Sequence, residues 1–133
     1  MENVQLALSK SVFELLQNHL KLSSKLTDFN KEKLLQELNS AKVFKDEELP
    51  ADAITLHSLV EIEEIETKQK FTFKLVNPAE ANMKYNKLSV FAPIGIALLG
   101  YRTGSEVQWE MPTGLKKFKV VSVTHQEPEK ANV

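Results

Sequence analysis

The chain has 133 residues and no cysteine, which excludes disulfides, thiolate nucleophiles and cysteine-ligated metals and suits a reducing compartment. Its 17 Lys and Arg against 18 Asp and Glu leave a formal net charge of −1, so no strong field draws it to nucleic acid or acidic lipid, and any contact with DNA or RNA is expected to be indirect. With 42% hydrophobic and 26% charged residues it has the composition of a folded domain with one main core and room for a small appendage.

The opening MENVQLALSKSVFELL carries an acidic second residue and breaks its apolar run at Ser9, Lys10 and Ser11, unlike a secretory signal. No stretch approaches the ~18 apolar residues of a membrane span. A cytoplasmic location without membrane attachment is therefore expected. Leu8, Val12, Leu15, Leu22 and Leu26 follow alternating steps of four and three, with His19 in the remaining slot. This spacing predicts a helix from Val4 to about Ser24. An arm of about 20 residues would be roughly 30 Å long. Phe13, Leu16 and Leu20 widen its seam beyond what one thin partner needs, which leaves open packing on the rest of the chain or on a second copy.

In KLTDFN, Thr27, Asp28 and Asn30 can cap a helix start, and Glu32 follows in what would be its first turn. A second, shorter helix carrying Leu34, Leu35, Leu38 and Ala41 ends near Lys42. Residues 1–45 thus read as an antiparallel helical hairpin, a short coiled coil. Residues 46–53, with Asp46, Glu47, Glu48 and Pro50, read as a solvated linker, because Pro50 cannot continue a helix.

After Ala53 the period becomes two. Ile54, Leu56, Ser58, Val60 and Ile62 alternate with Thr55, His57, Leu59, Glu61 and Glu63, predicting one long strand. FTFKLV (71–76) forms a second strand after a hairpin loop at ETKQK. LSVF (88–91), SEVQWEM (105–111) and LKKFKVVSV (115–123) predict three more, with PTG as the last turn. Between them Ile94, Ala97 and Leu98 follow Pro93 at helical spacing, and Gly100 can end a short helix in a left-handed cap. Residues 54–125 therefore form an antiparallel β domain with one short helix, and 126–133 a polar tail. The fold class is α+β.

No catalytic or metal-binding set emerges from these residues, and no cofactor is implied. His19, His57 and His125 lie far apart, without ligand spacing; His19 belongs to the helical seam, and the other two to solvent-facing strand positions. Glu61, Glu63, Glu64 and Glu66 read as a solvated face, where nothing would separate the pKa values of an acid and a base. There is no phosphate-binding glycine loop and no nucleophile elbow.

Three segments carry a resemblance: LVNPAEA (75–81), KLSVFAPIGIALLG (87–100) and GSEVQWEMPTG (104–114). In their order and spacing they resemble the C-terminal domain of the GreA/GreB superfamily of transcription factors, and more closely the Rnk-type regulators of RNA polymerase. The resemblance implies an FKBP-like fold for this region and docking on the rim helices at the entrance of the polymerase secondary channel. It makes Phe91, Pro93, Ile94, Gly95 and Leu99 the expected docking residues. Gre cleavage factors carry two acidic residues three apart at the tip of a long coiled coil, where they help bind a catalytic Mg²⁺. Here Asp28 is followed three residues on by Lys31 and four on by Glu32, with Lys25 and Lys33 near, and each lysine competes for the carboxylates. The resemblance thus implies a non-enzymatic regulator that competes with Gre factors. The alternatives are transcript cleavage through Asp28 and Glu32 and, by fold analogy alone, prolyl isomerisation.

Overall fold

The computed structural model describes residues 5–23 and 26–125. Val4, Ser24, Lys25 and the expected tail 126–133 lie outside them. The architecture is mixed α+β: a helical pair and one short helix packed on a curled sheet.

The chain begins not in a helix but in a strand, β1 (Ala7–Ser9). Leu6, Ala7 and Leu8 are all buried. A helix would turn at least one of three consecutive residues toward water, whereas a strand flanked on both sides can bury them all. The flanks are β2 (Lys42–Phe44), which runs parallel to β1, and Gly100, whose carbonyl accepts from Ala7 N–H at 3.0 Å. Ser9 then caps α1 (Lys10–Leu22), its side chain accepting from Val12 N–H. Thr27 does the same for α2 (Asp28–Ser40) through Asn30 N–H. Each helix has 13 residues, or about 20 Å at 1.5 Å per residue. The first arm is thus shorter than its periodicity suggests, and the second equals it. Asp46–Glu48 form a 3₁₀ turn beyond β2.

The second sheet has the order β5-β4-β3-β7-β6, from β3 (Ser58–Glu64), β4 (Lys70–Val76), β5 (Lys87–Ser89), β6 (Glu106–Met111) and β7 (Gly114–His125). It is mixed rather than wholly antiparallel, since β5 runs parallel to β4. The first strand of this sheet starts four residues later than its apolar alternation suggests. Ser58 Oγ, fully buried, accepts from Thr55 N–H at 2.9 Å, and His57 adopts φ of 73°, so residues 54–57 form a turn. His57 is consequently not a strand residue; its ring lies 3.4 Å from Glu80 Oε1. His125 ends β7 with its Nε2 2.6 Å from the Ala53 carbonyl.

The inward side chains of β3 are Ser58, Val60, Ile62 and Glu64. Glu64 therefore leaves the solvated acidic face expected for it and is buried beside Lys116, 3.2 Å away. Glu61 and Glu63 do face outward, half-buried. Residues 93–98 form the short helix α3 (Pro93–Leu98). Gly100 follows it at φ of 89°, and a Cβ there would stand 2.6 Å from Leu8 Cδ2. Glycine is required on both counts.

One hydrophobic cluster joins Leu8, Leu16, Leu34 and Leu38 to Leu98, Trp109 and Val120, with Phe13 and Leu20 packed against it. The wide seam of the first helix is satisfied by the chain's own sheet and α3. Among the described residues no helix is long and apolar enough to cross a membrane.

Candidate docking surface

The turn into α3 is built by Ser89 and Gly95. Ser89 Oγ accepts from Phe91 N–H at 3.0 Å, and its carbonyl accepts from Ala92 N–H, turning the chain sharply out of β5. Pro93 opens the helix, where its missing N–H costs nothing. A Cβ on Gly95 would stand 2.8 Å from the Ser89 carbonyl oxygen and 2.9 Å from that of Val90. Only glycine allows α3 to lie this close to the turn.

The five expected docking residues separate under this geometry. Phe91 is 45% exposed, Pro93 is exposed and Ile94 half-buried, so these three reach the surface. Gly95 is buried and Leu99 is 1% exposed within the core. Neither can touch a partner; they hold up the ridge that carries the other three.

Phe91 and Pro93 line a groove of about 520 Å³ between the helical pair and α3, together with His19, Leu26, Asn30 and Trp109. The His19 ring stacks on Phe91, with centroids 5.8 Å apart and planes at 23°. Burial of the imidazole holds its pKa below the ordinary histidine value. Ile94 lies on the other side of the ridge, in a second groove shared with Phe71, Phe73, Met83, Leu88 and Phe118. Met111 lines both grooves.

The tip of the hairpin is held against the sheet. Asn30 is 3% exposed; its Nδ2 donates to the Glu110 carbonyl and its Oδ1 accepts from Glu110 N–H, both at 2.8 Å. Asn30 is thus not a cap but a clamp between α2 and β6. Asp28 and Glu32 are exposed near the tip. Lys31 is exposed beside them, and Lys25 lies outside the described residues. Lys33, expected to join them at the tip, points the other way. Its Nζ donates to Glu37 Oε2 at 2.5 Å and to Tyr101 Oη at 2.7 Å, and stands 5.7 Å from the Trp109 ring centroid. Tyr101 also donates to Glu37. Burial, then the Glu37 charge and its hydrogen bond, push the phenol pKa well above its usual value, so Tyr101 stays a donor.

Asn30, Lys33, Glu37 and Tyr101 were not legible as a functional group in the sequence. Their partners lie 64 to 80 residues away, and only the helical spacing of Asn30, Lys33 and Glu37 hinted at a shared face. Among the described residues no three His, Asp or Glu side chains are placed to hold a metal ion. The arrangement is one of apolar grooves and latches rather than of reacting groups.

The family model described as "Transcription elongation factor, GreA/GreB, C-term" matches residues 49–125, from just before β3 to the end of β7. The chain belongs to the GreA/GreB C-terminal family. Members similar to it include a GreA of Syntrophotalea carbinolica, 35% identical over 95 residues, covering 68% of this chain and 60% of that protein. The "Regulator of nucleoside diphosphate kinase" of Escherichia coli K12, of the Rnk type, is 36% identical over 95 residues, covering 71% of this chain and 70% of that protein. Both subgroups anticipated from the three sequence segments are thus present among the relatives. Among GreA/GreB structures, that of Nitrosomonas europaea matches at 30% identity and a TM-score of 0.67, over 92% of this chain and 100% of that one. Gfh1 of Thermus aquaticus matches at 26% identity and a TM-score of 0.51, over 92% and 99% of the two chains.

Proposed function

We propose that this GreA/GreB family member is a non-enzymatic transcription regulator that binds RNA polymerase at the entrance of the secondary channel and competes there with Gre factors. The observation that carries this reading is the clamp between Asn30 and Glu110. A hairpin about 20 Å long whose tip is bonded to its own sheet cannot extend far into a channel. Docking then falls to the α3 ridge, with Phe91, Pro93 and Ile94 in contact and Gly95 and Leu99 as their support. The fraction of each GreA relative that the chain matches also bears on this, since it spans 60% of the first of them.

The test is competition on core polymerase. The purified chain should be retained by core polymerase and should displace a Gre factor, and a Phe91→Glu variant should lose both properties. Failure of the wild-type chain to be retained would reject the reading.

Transcript cleavage has one observation in its favour: Asp28 and Glu32 are exposed one turn apart on α2. Backtracked complexes given the chain should show no shortened RNA. Shortened RNA that disappears with Asp28→Asn would replace regulation by cleavage.

A further inference from the structure

The second groove, on the side of the α3 ridge away from the helical pair, lies on the concave face of the sheet and measures about 520 Å³. Its lining is dominated by Phe71, Phe73, Leu88, Ile94, Met111 and Phe118. Its outer lip is a 3₁₀ turn (Met83–Tyr85), on which Met83 is 71% exposed. Tyr85, Phe71 and Phe91 add exposed apolar surface nearby in sequence and sheet order. An apolar hollow with several exposed large side chains at its mouth is the signature of a protein contact site rather than of an isolated surface residue.

Charge narrows the partner. The whole chain is close to neutral, but residues 67–87, which supply most of the groove's walls, carry Lys68, Lys70, Lys74, Lys84 and Lys87 against the single carboxylate of Glu80. Glu80 lies 3.4 Å from His57, away from the lining. Lys70 is itself part of the lining, and Lys84 extends over the Tyr85 ring at 5.6 Å. Lys74 and Lys87 stand directly opposite each other on β4 and β5, a placement that like charges disfavour. Such a cationic margin around an apolar hollow complements a segment that is acidic and carries a large apolar side chain.

We infer that this groove receives an acidic polypeptide segment of RNA polymerase that inserts one large apolar side chain between Phe71, Met83 and Ile94. The inference rests on the polymerase reading above and gives that contact its chemistry. The apolar lining favours polypeptide over nucleic acid, which would need phosphate partners throughout and stacking platforms on both sides of each base. Ile94 connects the two grooves, so the ridge and this hollow act as one continuous surface.

The experiment compares retention on core polymerase of the full chain and of a Met83→Glu, Lys84→Glu double variant. Both positions are exposed, so the thermal melt should match the wild type. A Lys117→Glu variant, on the exposed opposite face of β7, is the control. The double variant should bind at least about tenfold more weakly and show a shallower dependence on salt, while the control stays within about twofold. If the wild type binds and the double variant binds equally well, the groove inference is overturned and the docking function stands. If the wild type does not bind, both fall. Tight binding of a single-stranded RNA oligonucleotide by the free chain, lost in the double variant, would overturn the polypeptide assignment.

Discussion

The helical pair and the β domain are specified in different ways. The β domain, residues 49–125, is the part that matches the family model, and its strands are written in local alternation: KFTFKLV becomes β4 and LKKFKVVSV lies within β7. The helical pair has local signals for helix, but its ends, its length and its orientation are set by groups far away in sequence. Ala7 is bonded to Gly100, Asn30 to Glu110, and Glu37 to Tyr101. Periodicity can say that a segment is a helix; it cannot say which distant carbonyl receives its side chains.

The largest effect expected from a single change is at the residue where the two regions meet. Trp109→Ala should cost about 3–5 kcal/mol in urea denaturation, because Trp109 is buried in the shared cluster and lies under Lys33 of α2. Helix and sheet signals should be lost in one transition; separate midpoints for the two would refute the shared core. Asn30→Ala should cost about 2 kcal/mol, since both polar groups of Glu110 lose their partner. Its effect should be local, with amides of α1 and α2 exchanging faster while those of β3 and β7 keep their protection. Tyr101→Phe removes a hydrogen bond to a charged carboxylate and should cost about 1.5 kcal/mol, again felt mainly in α2.

The smallest effect concerns pH. Burial depresses the pKa of His19 in the folded chain, so the unfolded chain binds more protons just below the ordinary value of 6.5. Stability from this residue is therefore full above 6.5 and is lost as pH falls toward the folded pKa. A His19→Phe variant, which keeps the stack on Phe91, should flatten the stability profile between pH 6.5 and the acid limb. An unchanged profile would mean that the imidazole is well hydrated.

Much of the fold was readable because sheet burial repeats every second residue and α3 is bracketed by Pro93 and Gly100. The strand assigned from Ile54 failed at four residues because Ser58 closes a turn through its hydroxyl, which alternation does not encode. The helix expected from Val4 failed at its start because Leu6, Ala7 and Leu8 serve both patterns, and only the neighbours Lys42 and Gly100 decide between them. At the docking surface the motif located the right place and overcounted its contacts: five residues in a row of high apolar content give three that reach the surface. Lys33 shows the converse, since a lysine near a helix start gives no sign in the sequence that its ammonium lies over Tyr101 and Trp109.

The amide of Asn30 also has a consequence for self-association. It meets β6 on the side away from β7, where an end strand otherwise offers N–H and C=O groups to any passing chain. By imitating a peptide unit at Glu110 it closes that margin to a further strand, while the opposite margin, β5, is only three residues long. The sheet is thereby guarded against edge-to-edge polymerisation at both ends, and a chain lacking the Asn30 amide should aggregate from its folded state at concentrations where the wild type stays dispersed.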